Sequence, residues 1–241
     1  MSTHSGSRKT IGGQLRHPCG MVGRFIGRAM AVVNREPNRI AIEALRIAPG
    51  DTVLELGFGS GRAIRTLTSM VPDGRVLGID HSEAMLGQAV RYNRCAIRNG
   101  RAELKQGRFN ALPWGADTID KILAVNVVYF LRADAAEIRE ARRVLRPGGL
   151  MAIYATEKSA MARWKFASPE THRTFDQNEL VAFVVSGGFA NDEISVTSLT
   201  LAFRIPGLIA VLRKRMLGSL YCESTFPASI SIQPHGWTVC R

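Results

Sequence analysis

The sequence predicts an α/β protein built on a parallel, doubly wound sheet with helices on both faces. Three observations lead there. From residue 51 onward, short apolar runs alternate with segments whose apolar residues recur every three or four positions. That alternation is the βαβ rhythm, whose strands are buried on both faces and so read as near-continuous apolar runs. The stretch 52–62, T-V-L-E-L-G-F-G-S-G-R, passes from such a run into a helical pattern through three glycines at alternate positions. Finally, 241 residues of which 46% are hydrophobic suffice for one substantial core.

In chain order, residues 1–16 are polar, with Gly, Ser and basic residues, and are expected to be a disordered lead-in. Residues 17–50 are expected to form an N-terminal helical cap. Val22, Phe25, Ile26, Ala29, Met30 and Val33 recur at helical spacing with Arg24 and Arg28 between them. This basic amphipathic helix over 21–33 suits an edge cap or a foot on a membrane surface. A second helix spans about 37–47, with Pro37 near its first turn and Pro49-Gly50 beyond its end.

The main domain, 51–215, has expected strands at 51–56, 75–80, 101–106, 118–125 and 150–154, with helices at about 61–70, 82–98 and 133–145. Pro72-Asp73-Gly74, Asn99-Gly100 and Arg146-Pro147-Gly148-Gly149 separate them. After Tyr154 the rhythm lapses for about 20 residues. A helix then starts near Asp176, where Asp176 and Glu179 fit a capping box, and ends at Gly187-Gly188. Strand-like runs at 192–198 and 208–213 close the domain. Residues 216–241 mix Ser, Pro, Gly and single aromatics without a period, which predicts a poorly ordered tail.

The glycine stretch predicts a ligand-binding corner. Gly57, Gly59 and Gly61 permit φ > 0 and close approach of a ligand to the backbone, while the helix start supplies unpaired N–H groups. Spacing narrows the ligand. A dinucleotide fingerprint places its third glycine five residues after the first, whereas Gly61 lies four after Gly57 and the fifth position is Arg62. Glu55, two residues before Gly57, would also repel a pyrophosphate. Asp80 ends the second strand 23 residues after Gly57. A carboxylate there can accept both hydrogens of a ribose diol or cap the helix that follows.

The segment E-L-G-F-G-S-G resembles the first motif of the class I S-adenosylmethionine-dependent methyltransferases. H-S-E-A-M-L (81–86), G-R-F-N-A-L-P-W (107–114), D-K-I-L-A-V-N-V-V-Y-F-L (120–131) and R-V-L-R-P-G-G-L (143–150) follow in order. Together they look like the motif series of the small-molecule branch, similar to the ubiquinone and menaquinone methyltransferases, over about residues 37–213. The resemblance implies a Rossmann-like seven-stranded sheet, five strands parallel in sequence order and the last antiparallel, with S-adenosyl-L-methionine as cofactor. It implies that Glu55 and the backbone of Gly57, Phe58, Gly59 and Gly61 hold the methionine portion and that Asp80 takes the ribose hydroxyls. His81 and Met85 would lie against the adenine, Arg108, Phe109 and Asn110 would meet its edge, and Asn126 would sit under the sulfonium. Members usually carry an acid where this chain has Arg108, and an arginine cannot accept a hydrogen bond from the adenine amino group.

Methyl transfer from a sulfonium needs alignment and exclusion of water, and a base only where the nucleophile must lose a proton. Tyr129, Tyr154 and Glu157 near strand ends and His172 in the irregular segment are the candidates, each read first as a pocket wall or surface residue, and no motif singles out a base. Five histidines (4, 17, 81, 172 and 235) and four cysteines (19, 95, 222 and 240) lack metal-ligand spacing, so no metal is expected. Ser-His-Asp and Walker signatures are missing too. Scattered thiols, no apolar run near 18 residues and no signal-type apolar region give a cytoplasmic expectation.

Net charge is +12, with 26 arginines among 32 basic residues, which favours anionic partners or records a bias toward arginine codons. No specific nucleic-acid signature accompanies it, and oligomeric state is not legible. The expectation is methyl transfer to a small-molecule acceptor. Its rivals are a membrane-lipid or quinone acceptor, with 21–33 in peripheral membrane contact, and a non-catalytic S-adenosylmethionine-binding protein.

Overall fold

Strands β1 (Thr52–Leu56), β2 (Arg75–Asp80), β3 (Ala102–Gln106), β4 (Ile119–Val125) and β5 (Leu145–Thr156) all run parallel. The computed structural model describes residues 34–164 and 172–216. The lead-in, the helix expected over 21–33 and the tail beyond residue 216 lie outside the described residues. Helices α1 (Arg35–Leu45), α2 (Arg62–Met70), α3 (Glu83–Tyr92), α4 (Arg94–Arg98), α5 (Ala136–Val144), α6 (Lys158–Met161) and α7 (Gln177–Ser186) surround the strands. The last strands are β6 (Ile194–Leu201) and β7 (Ile205–Arg213), and the seven-stranded sheet has the order β3-β2-β1-β4-β5-β7-β6. β7 is antiparallel to both neighbours. The order reverses between β1 and β4, and in open α/β sheets the crevice at that reversal is where ligands bind.

Side-chain alternation divides the core into two layers. Leu54, Leu56, Leu77 and Ile79 face α5 and α7 through Ile138, Ala141, Leu180 and Phe183. Val53 and Val76 face the other way, against Ile40, Leu45, Ile64, Leu67 and Ala89 of α1, α2 and α3. Removing a Leu or Ile side chain from water stabilises by about 1.5–3 kcal/mol, so these two layers supply the main driving force for the sheet. Glu55 shares the parity of Val53, which places a carboxyl in the buried α1–α2 layer.

Several elements differ from the sequence expectation. The helix expected over 82–98 breaks at Asn93, whose Nδ2 donates to the carbonyls of Gly61 and Ala89, both at 2.9 Å. β5 extends from 145 to 156 because Ile119 pairs with Leu145 before the ladder resumes at Leu150, and Thr156 pairs with Gly207. Residues 191–193 form a 3₁₀ turn, and β6 runs on to Leu201, where it pairs with Ile205.

The capping box of α7 forms as its residues suggest. Asp176 Oδ1 accepts from the Glu179 N–H and Glu179 Oε2 accepts from the Asp176 N–H, each at 2.9 Å. Asp176→Ala should therefore cost about 1 kcal/mol of stability in urea denaturation with an unchanged slope. No loss would show that packing alone holds the helix start.

Candidate functional site

The glycine corner joins the end of β1 to α2. Gly57, Gly59 and Gly61 all have positive φ, at 71°, 51° and 78°. At Gly57 an added Cβ would run into the Val127 side chain, and at Gly61 it would lie 2.7 Å from Ala89 Cβ and 2.9 Å from Ala89 Cα. A Cβ on Gly59 would meet nothing within 4 Å. Gly59 therefore borders open space, while its neighbours are the close-packed supports of the turn. Phe58 points away from that space into the core, against Gly78 and Ile64. Only its backbone can serve a ligand.

Asp80 at the end of β2 is buried and tied to both sides of the crevice. Its Oδ2 accepts from the Gly59 N–H and its Oδ1 from the Ser82 N–H, each at 2.9 Å. Ser82, not Asp80, caps α3 by accepting from the Met85 N–H. Each carboxylate oxygen keeps a lone pair for a further donor. Burial raises the Asp80 pKa, opposed by the backbone donors and by His81, whose Nδ1 lies 3.9 Å away.

Glu55 lacks such support. It is buried, and its Oε2 has no hydrogen-bond partner among the described residues. Burial first, and then the Asp80 charge, push its carboxyl up to about 8. Two buried carboxyls beside a glycine turn form a site that welcomes a cationic group and disfavours an anion.

The adjoining 107–114 loop is held from behind. Glu140 Oε1 accepts from the Leu112 N–H at 2.9 Å, and Arg143 Nη2 donates to the carbonyls of Leu112 and Trp114 at 3.2 and 2.9 Å. The hydrogen bond from Arg143 holds the Glu140 carboxyl below its ordinary range. Phe109 stands edge-on to His81, ring centroids 6.3 Å apart. Phe109 and Asn110 are half-buried, Arg108 is exposed without an ion pair among the described residues, and Met85 is buried.

A second polar group closes the end of β4. Asn126 sits at φ 55°, its Nδ2 donates to Asn34 Oδ1 at 2.8 Å, and its Oδ1 accepts from the Tyr129 hydroxyl at 2.8 Å. The Thr156 N–H donates to the same hydroxyl. Burial raises the Tyr129 pKa above its ordinary value and pushes the fully buried Tyr154 up to about 12. Both phenols are therefore neutral at pH 7 and unsuited to act as bases. His172 is buried against Tyr129 and Phe130, with centroids 6.1 and 4.9 Å away, and Glu157 starts α6. Of the sequence candidates, the corner, Glu55, Asp80 and His81 converge with Phe109, while Tyr129 joins Asn126. Val127, Asn34, Asn93 and the Glu140–Arg143 pair were missed. A polar Asn three residues before Pro37, at the start of the expected helix, was the local sign of Asn34.

Residues 53–149 match the protein-family model described as a methyltransferase domain. An uncharacterised methyltransferase, YdaC, of Bacillus subtilis is 31% identical over 173 residues, covering 72% of this chain and 90% of that protein. The chain belongs to the class I S-adenosylmethionine-dependent methyltransferases. This methyltransferase is also 30% identical over 122 residues to the ubiquinone/menaquinone biosynthesis C-methyltransferase of Syntrophotalea carbinolica, half of each chain. Its fold matches the crystal structure of a SAM-dependent methyltransferase from Aquifex aeolicus with a TM-score of 0.59 at 22% identity, covering 73% and 89% of the two chains. Its cofactor is S-adenosyl-L-methionine, and the corner fits it: open space over Gly59, a buried carboxyl oxygen awaiting a donor, and a second carboxylate suited to a diol. Among the described residues there is no group of His, Cys, Asp and Glu able to hold a metal ion, and no helix long and apolar enough to cross a membrane.

The Glu55 shift has a stability consequence. Its folded value of about 8 lies above the ordinary 4.5 expected when unfolded, so the folded state binds the extra proton between those values. The stabilisation is full below the unfolded value and is lost as pH rises through about 8, with a slope of at most about 1.4 kcal/mol per pH unit. Ligand-free wild type should lose stability relative to Glu55→Gln as pH rises across this window in urea titrations. Parallel profiles would place the proton elsewhere.

Proposed function

We propose that this methyltransferase carries the methyl group of S-adenosylmethionine to a small-molecule acceptor by in-line displacement. The bound cofactor supplies an activated methyl sulfonium. Glu55 and the Gly57–Gly61 backbone hold the methionine portion, with Glu55 accepting from its ammonium group, and Asp80 takes the ribose diol. Phe109 and His81 border the adenine with Met85 behind them, while Asn110 and exposed Arg108 meet its edge. Asn126 lies near the sulfonium. Alignment of the acceptor and exclusion of water then account for the chemistry, without a dedicated side-chain base.

The observation that carries the small-molecule reading is the enclosure of the polar group at the end of β4. Tyr129 and His172 are buried, and Phe130 packs on His172. An aromatic wall around a few fixed polar atoms is the usual form of a site for a compact ligand. Full-length protein, tritium-labelled S-adenosylmethionine and fractionated cell extract test it. Label should appear in low-mass soluble product. Label confined to membrane lipid, or no transfer to any fraction, would reject the reading.

Arg108 offers a second test. If it stands where an acceptor for the adenine amino group belongs, Arg108→Asp should tighten S-adenosylmethionine binding by roughly 0.5–1.5 kcal/mol in calorimetry. Weaker binding would assign the arginine to an anionic acceptor or to the adenine face.

A further inference from the structure

We propose that Asn34 and Asn126 form a paired amide-donor site that recognises an electron-rich oxygen on the methyl acceptor. Building on the small-molecule reading, this specifies the chemistry that the acceptor must present.

The hydrogen bonds run in one direction, from Thr156 through Tyr129 and Asn126 to Asn34. The Thr156 backbone N–H can only donate, so the Tyr129 oxygen accepts there and its single hydrogen is available elsewhere. That hydrogen goes to Asn126 Oδ1. The oxygen end of the Asn126 carboxamide is thereby turned toward Tyr129, and its Nδ2 toward Asn34 Oδ1. Asn34 is oriented in turn, with its oxygen committed to Asn126 and its Nδ2 at the other end of the carboxamide. The two carboxamides are thus oriented in series, each with its oxygen toward the preceding member of the chain.

Such a chain must end in donors. They are both hydrogens of Asn34 Nδ2 and the second hydrogen of Asn126 Nδ2, and none has a partner among the described residues. Both residues are half-buried. Asn126 immediately precedes Val127, the residue against Gly57, so these donors stand beside the cofactor corner and not on a remote surface. Burial keeps Tyr129 neutral, and the polarity therefore does not invert near neutral pH. Amide donors suit a carbonyl, enolate, phenolate or carboxylate oxygen and offer nothing to an ammonium group. The nearby rings of Phe130 and His172 favour an acceptor whose oxygen is attached to a flat or apolar body.

The test uses full-length protein loaded with S-adenosylhomocysteine and three probes that share a ring but differ in polar group: acetophenone, benzoate and benzylamine. Binding is read by calorimetry. Asn34→Asp keeps an oxygen to accept from Asn126 but puts a second oxygen where Nδ2 stood, and Asn34→Ala removes both. Acetophenone and benzoate should bind wild type in preference to benzylamine, and each substitution should weaken them about tenfold. Affinity for S-adenosylhomocysteine should stay unchanged in both variants, which reports an intact fold and corner. A role limited to propping Asn126 would leave Asn34→Asp like wild type, and that result would overturn the proposal. Preference for benzylamine would overturn it while leaving the small-molecule reading intact. Failure of all three probes to bind wild type would reject both.

Discussion

Asp80 accepts one N–H from the glycine turn after β1 and another from the start of the segment after β2. These two chain ends would otherwise face the crevice with unpaired backbone donors, at a cost of roughly 1–3 kcal/mol for each buried one. Their common acceptor holds the two walls of the crevice at fixed separation. The turn can then adopt its run of positive φ angles, and α2 can begin at Gly61 with Asn93 locked onto its carbonyl. Removing Asp80 would therefore disturb the architecture of the corner as well as its chemistry.

The same carboxylate sets the electrostatics. Glu55 lies in the buried layer beside it with an oxygen that the protein leaves unpartnered. Desolvation and like charge together keep Glu55 protonated in the ligand-free protein. A cationic ligand reverses that balance by supplying the missing donor and an opposite charge. The site thus stores an unfavourable arrangement in the empty state that binding relieves, as expected where local stability is given up for function.

Positioning of the remaining parts is distributed over distant elements. The 107–114 loop is clamped by Glu140 and Arg143 from α5, on the opposite side of the sheet from α2. The end of β4 is bound to Asn34 at the start of α1 and to β5 through Tyr129 and Thr156. Each of these bonds joins residues separated by 27 to 92 positions, so the site is rigid only once the sheet has assembled. Arg108, exposed and outside this clamp, is free to differ from its usual counterpart without unsettling the loop.

Much was determined by the sequence alone. The parallel sheet, the alternation of helices, the glycine corner, the acid at the end of β2 and the capping box of α7 follow from local spacing, because backbone preferences and side-chain periodicity act over a few residues. The cofactor family was legible for the same reason, since its motifs are short and ordered. The tertiary structure alone decided that Phe58 belongs to the core, that the helix breaks at Asn93, and that Asp80 ties the corner while Ser82 caps α3. It also decided that Tyr129 is a hydrogen-bonded phenol held neutral and that Asn34 reaches Asn126. Burial, hydrogen-bond direction and pKa depend on which distant groups the sheet brings together, and no local pattern encodes that.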